Sequence, residues 1–129
     1  MSIICKTLFM LNYNIWKMNN EKLREYCLSK PNVTESLPFN DTALVFKVYN
    51  KMFALLDLSE QNKGISLKCD PMKALSLRDR YDCVEPGYHF NKKHWNTIKI
   101  DNTIPDTLIE QWIDDSYNLV VKSLPKNKQ

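Results

Sequence analysis

Glycine is scarce in this chain: two residues in 129, where average usage of about 7% would give roughly nine. Gly64 and Gly87 stand too far apart to share either a GxGxxG fingerprint or a GxxxxGK(S/T) phosphate loop, so nucleotide binding by those two routes is excluded. Arginine is scarce as well. Three arginines, Arg24, Arg78 and Arg80, stand against fifteen lysines, which leaves few of the bidentate forks usual in base and phosphate recognition. There are two histidines, His89 and His94, and the four cysteines, Cys5, Cys27, Cys69 and Cys83, show no CxxC spacing. The cysteines sit in apolar runs and read as free thiols, which suits a reducing, cytoplasmic setting. No run approaches the roughly 18 apolar residues of a membrane span, and the formal charge of +3 is too small to identify a partner by itself.

What is present is a clear succession of elements. Residues 2–16 are apolar but interrupted by Lys6, Asn12 and Asn14 and are followed by no small-residue cleavage site, so they do not read as a signal peptide. Met18 reads as the functional start, with residues 1–17 an extension, 18–125 a single domain and 126–129 a polar tail. Asn19 and Asn20 cap a helix to about residue 30, which Pro31 ends. Two β-rich runs, 43–49 and 52–56, are joined by Asn50 and Lys51 as a hairpin, and a third strand covers 65–69. Asp70 and Pro71 open a second helix with a cap and a proline at its first position. A turn at Glu85, Pro86 and Gly87 leads to a strand over 94–100, and Pro105 opens a last helix to about residue 124. In that helix Ile109, Ile113, Val120 and Leu124 form the inward stripe, and Asp106, Glu110 and Asp114 form a solvated one. The order α-β-β-β-α-β-α predicts an α+β domain, a largely antiparallel sheet with helices packed on one face.

Alternation along the strands assigns two sheet faces. Leu44, Phe46, Val48, Ile65, Leu67, Cys69, Ile98 and Ile100 fall beneath the helices. Val45, Lys47, Tyr49, Ser66, Lys68, Trp95, Thr97 and Lys99 fall on the other, which reads as open, basic and partly aromatic. Residues 42–56, 61–69 and 86–100 carry seven lysines and no acid, whereas the last helix carries four acids and Lys122. Such a face can hold a phosphate backbone by charge and bases by stacking; the plainer reading is a solvated face of an antiparallel sheet.

The densest segment is Pro86-Gly87-Tyr88-His89-Phe90-Asn91-Lys92-Lys93-His94-Trp95-Asn96-Thr97. With Leu23-Arg24-Glu25-Tyr26-Cys27, Pro31-Asn32-Val33-Thr34-Glu35, Lys51-Met52-Phe53-Ala54-Leu55, Ser66-Leu67-Lys68-Cys69-Asp70-Pro71 and Ser116-Tyr117, in order from about Met18 to Pro125, it resembles the MmcQ/YjbR family of small bacterial proteins. The resemblance implies an α+β fold whose hairpins are likened to a double-wing DNA-binding motif, and it supplies no catalytic residues or cofactor. Relatives often have Gly where this chain has Asn32 and Tyr49-Asn50, and Asn tolerates left-handed backbone better than most residues.

For an enzyme the residues offer little. His89 and His94 lack the i, i+4 helical spacing of a zinc pair, so a metal would need Cys69 or Asp70 brought in by folding. A Cys69–His89 nucleophile pair is formally available, but a strand cysteine is usually inert, and Asp114 and Asp115 project in different directions. The expectation is a monomeric, non-enzymatic DNA-binding protein without cofactor or membrane association. Lys92, Lys93 and Lys99 would sit at phosphates, Lys47 and Lys68 would extend the surface, and Tyr88, His94 and Trp95 would be at the contact. The alternative is a protein or small-ligand interaction module with residues 87–95 lining a pocket, and a metal-dependent enzyme is a third reading.

Overall fold

The structure, a computed structural model, describes residues 18–87 and 90–129. Asn19 caps α1 (Asn20–Leu28) by accepting the Lys22 amide on its side-chain oxygen at 2.9 Å. Four strands follow, β1 (Val33–Ser36), β2 (Ala43–Val48), β3 (Lys51–Asp57) and β4 (Ile65–Lys68). Asp70 caps α2 (Pro71–Arg80), with Pro71 at its start. The chain then runs through β5 (Val84–Pro86) and β6 (Trp95–Ile98) to α3 (Asp106–Lys122) and a short 3-10 turn, Lys126–Lys128. The six strands form one antiparallel sheet in the order β1-β2-β3-β4-β6-β5. The expected α+β class, the antiparallel sheet and the helices on one face are all present.

Two strands go beyond the expected order. β1 is a four-residue edge strand reading Val-Thr-Glu-Ser, too short and polar to stand out by alternation. β5 is three residues ending in Pro86; proline belongs at such an edge because its missing N–H faces no ladder partner. The first hairpin turns one residue earlier than expected, at Tyr49 and Asn50, both with positive φ (47° and 66°). That is the left-handed pair a two-residue type I′ turn requires. Asn32, Asn62 and Asn102 are left-handed as well, so asparagine does take turn positions that glycine often fills.

The core lies between helices and sheet: Leu23 and Cys27 of α1, Leu77 of α2, and Ile109, Trp112, Ile113 and Val120 of α3 meet Phe46, Val48, Phe53, Leu56, Ile65 and Ile98. A β-bulge between β2 and β3, at Phe46 and Lys47, leaves both Phe53 and Ala54 in this core. Beyond Ala54↔Leu67 the β3–β4 ladder stops, and the buried Ser116 of α3 takes its place. Its hydroxyl donates to the Phe53 carbonyl oxygen at 2.6 Å and accepts the Lys68 amide at 2.9 Å.

The acidic side of α3 is more than a solvated stripe. Asp114 accepts the Tyr26 hydroxyl at 2.7 Å and pairs with Lys30, both in or beside α1, whereas Asp115 pairs with Lys73 of α2 at 2.9 Å. Adjacent on the helix, the two carboxylates reach opposite neighbours.

Candidate functional site

The second sheet face follows the expected alternation, but much of it is buried. Val45, Leu55, Ser66, Trp95 and Thr97 are all buried there. At one end the loops around Asn40 and 59–64 rise beside it; at the other, the Phe90 ring stacks on Trp95 with centroids 4.5 Å apart. Trp95, 9% exposed, is therefore a packed residue and not the free stacking platform expected for a base.

Lys47, Lys68, Lys92 and Lys93 lie toward the same end of the sheet, near the β2–β3 turn, at the end of β4 and in the turn before β6. Lys68 lies directly opposite Trp95. Lys47 lies two strands from Lys68, about 10 Å away at ordinary strand spacing. The turn that carries Lys92 and Lys93 is fixed on every side. The Asn91 side-chain oxygen accepts the Lys93 amide at 2.9 Å, and the Asn91 carbonyl accepts the His94 amide at 3.1 Å. The His94 carbonyl accepts the Cys69 amide at 2.7 Å, and the Trp95 carbonyl accepts the Gly87 amide at 2.8 Å.

Arg78 of α2 closes this arrangement. Its Nε donates to Asn96 Oδ1 at 2.7 Å, and its terminal nitrogen reaches the carbonyls of Lys92 and Trp95. Asn96, buried in turn, donates to the Ala74 carbonyl at 3.3 Å. Lys92 and Lys93 are thus exposed on a turn whose backbone is tied to a helix. Composition singled out Arg78 only as one of three arginines; its structural role depends on an eighteen-residue separation in sequence.

Lys99 does not join the group. It lies four residues along β6 from Trp95, about 13 Å away, and faces Glu85 at 3.9 Å. His94 is half-buried in the turn and contributes its backbone to the Cys69 bond. Tyr88, and with it His89, lies outside the described residues.

Among the described residues no ion pair engages Lys47, Lys68, Lys92 or Lys93, while Lys30, Lys73 and Arg24 on the helical side are paired with Asp114, Asp115 and Glu35. All three arginines are engaged inside the chain: Arg24 in a fork with Glu35 at 2.5 and 2.8 Å, Arg78 on carbonyls, and Arg80 over the Tyr81 ring at 5.6 Å.

Cys27, Cys69 and Cys83 are free thiols. Burial pushes the Cys27 thiol up to about 12 and raises Cys69 and Cys83, the opposite of what a nucleophilic or metal-binding thiolate needs. Among the described residues no group of three or more His, Cys, Asp or Glu side chains comes together as a metal site, and no helix is long and apolar enough to cross a membrane.

A six-stranded antiparallel sheet with three helices on one face places the chain among small single-domain α+β proteins. Residues 28–119 match the YjbR family model. The Escherichia coli K12 protein YjbR, described as uncharacterised, is 35% identical over 112 residues, covering 87% of this chain and 95% of that protein. YbdF of Escherichia coli O157:H7, also described as uncharacterised, is 37% identical over 110 residues, covering 85% and 90%. Among solved structures, Deinococcus radiodurans DR2400, a DUF419 domain, superposes with a TM-score of 0.78 at 39% identity, covering 84% of this chain and 83% of that one. A Pseudomonas syringae protein gives 0.69 at 28% identity, covering 79% and 98%. The chain belongs to the YjbR family.

Proposed function

We propose that this protein is a non-enzymatic DNA-binding protein that contacts the phosphate backbone through Lys47, Lys68, Lys92 and Lys93. The observation that carries the reading is that Lys92 and Lys93 are exposed on a backbone-tied turn at the sheet end that Lys47 and Lys68 share, and none of the four has an ion-pair partner among the described residues. Unmatched lysines on a rigid turn and the adjoining strand ends gain counterion-release free energy from a polyanion, and a preset backbone lowers the ordering cost of contact. With every arginine engaged internally and Trp95 covered, the contact is to phosphates and carries little base readout. The family resemblance likens the hairpins of this fold to a double-wing DNA-binding motif.

The test is fluorescence anisotropy of labelled duplexes of unrelated sequence at rising salt. Similar affinities are expected for all of them, with log K falling against log salt at a slope of about −3 to −4 for four phosphates. The double variant Lys92→Ala/Lys93→Ala should lower that slope by about two. No binding at low salt, or binding untouched by the double variant, overturns the reading.

A further inference from the structure

A cavity of about 500 Å3 is lined by described residues of the second sheet face. It opens at the other end of the same sheet face, away from the lysine-bearing turn. Its volume falls within the range of small-molecule sites. Leu55 and Ala43 give it an apolar floor, and Ser66 and Thr97, buried and 2.8 Å apart hydroxyl to hydroxyl, continue that floor in polar form. Asp57 stands at the wall. Both of its oxygens are oriented by backbone donors, Oδ1 by the Ser59 amide and Oδ2 by the Lys63 amide, each at 2.8 Å.

A carboxylate offers about four acceptor positions; the two amides and the Ser59 side chain use three, so one remains. Burial alone would raise the Asp57 carboxyl, but hydrogen bonds from Ser59 and Lys63 and the Lys63 charge outweigh it and hold the carboxyl below its ordinary value. It is ionised at neutral pH and acts only as an acceptor. A free acceptor position on a preset carboxylate, beside a small apolar surface and the Ser66 and Thr97 hydroxyls, matches the adjacent O–H groups of a compact ring.

We propose that this cavity binds a small uncharged molecule bearing vicinal hydroxyls, of monosaccharide to nucleoside size, with one hydroxyl of the diol donating to Asp57 and the ring lying over Leu55 and Ala43. The site is independent of the lysine edge and of any DNA contact.

Saturation-transfer NMR on the full chain with D-ribose, adenosine and 2′,3′-dideoxyadenosine at millimolar concentration tests it. Transfer is expected to D-ribose or adenosine, with dideoxyadenosine at least about tenfold weaker. Ala43 sits directly across from Asp57 in the β2–β3 register, and Ala43→Trp fills the cavity without removing a hydrogen bond, so it should abolish transfer. Asp57→Asn should weaken it, with folding of each variant checked by circular dichroism. Absence of transfer to all three probes, equal transfer to adenosine and its dideoxy analogue, or transfer unchanged in a folded Ala43→Trp overturns the proposal.

Discussion

At Gly87 a Cβ would stand 2.7 Å from the Trp95 Cβ and 3.0 Å from the Trp95 carbonyl oxygen, the same oxygen its amide bonds. Neither neighbour can move freely, because Trp95 is held by Phe90 on its ring and by Arg78 on its backbone. Gly87→Ala is expected to cost about 1–3 kcal/mol by overpacking, read as a shift in the denaturant midpoint; an unchanged midpoint would show that the strand pair yields. Gly64 is constrained differently: its φ of 103° is left-handed, and a Cβ there would lie 1.9 Å from the Ile98 carbonyl oxygen. The few glycines kept are those where backbone meets backbone. Turns that need only a left-handed residue use Asn32 and Asn50.

Among the elements, α3 does more than bury an apolar stripe. Through Ser116 it completes the β3–β4 ladder beyond the bulge. The Tyr117 hydroxyl donates to the Pro31 carbonyl at 2.6 Å, while its ring packs edge-on against Phe53 at 5.4 Å. Ser116→Ala leaves the Lys68 amide and the Phe53 carbonyl without a partner, at a cost of about 1–3 kcal/mol for each buried group. Thermal or chemical unfolding should show the loss, and amide exchange at Lys68 should quicken well before exchange elsewhere in β4; an Ala variant as stable and as protected as the parent would refute the bridging role. The Ser116-Tyr117 pair was visible in sequence as a family-like motif. Its physical reason was not, since it depends on a bulge in strands about sixty residues away.

For the whole molecule, pH acts from both sides. Hydrogen bonding from Thr103 lowers the Asp101 carboxyl, and Asp57 is lowered as described. Carboxyls depressed in the fold contribute stability that is present above the ordinary carboxylate range and lost as pH falls through it. Burial raises Cys27 to about 12 and raises Tyr26 and Tyr117. Groups raised in the fold contribute stability that is present below their unfolded values and lost as pH climbs from about 9 upward. Melting temperatures should therefore show a plateau bounded by an acid and an alkaline decline, and Cys27→Ala should make the alkaline decline shallower. An alkaline limb identical in that variant would remove Cys27 from the account.

The sequence by itself determined the order of helices, the caps at Asn19 and Asp70, the first hairpin to within one residue, the alternation of sheet faces and the family, because each depends on local spacing or on an ordered run of residues. Only the tertiary structure decided that much of the second face is buried, that Lys99 stands apart from the other lysines beside Glu85, that the arginines contact groups of their own chain, and that the cavity lies beside Asp57. Each of those depends on which loop folds over which strand and on how far a side chain lies along the sheet. Alternation says which way a residue points, and only packing says what it meets there.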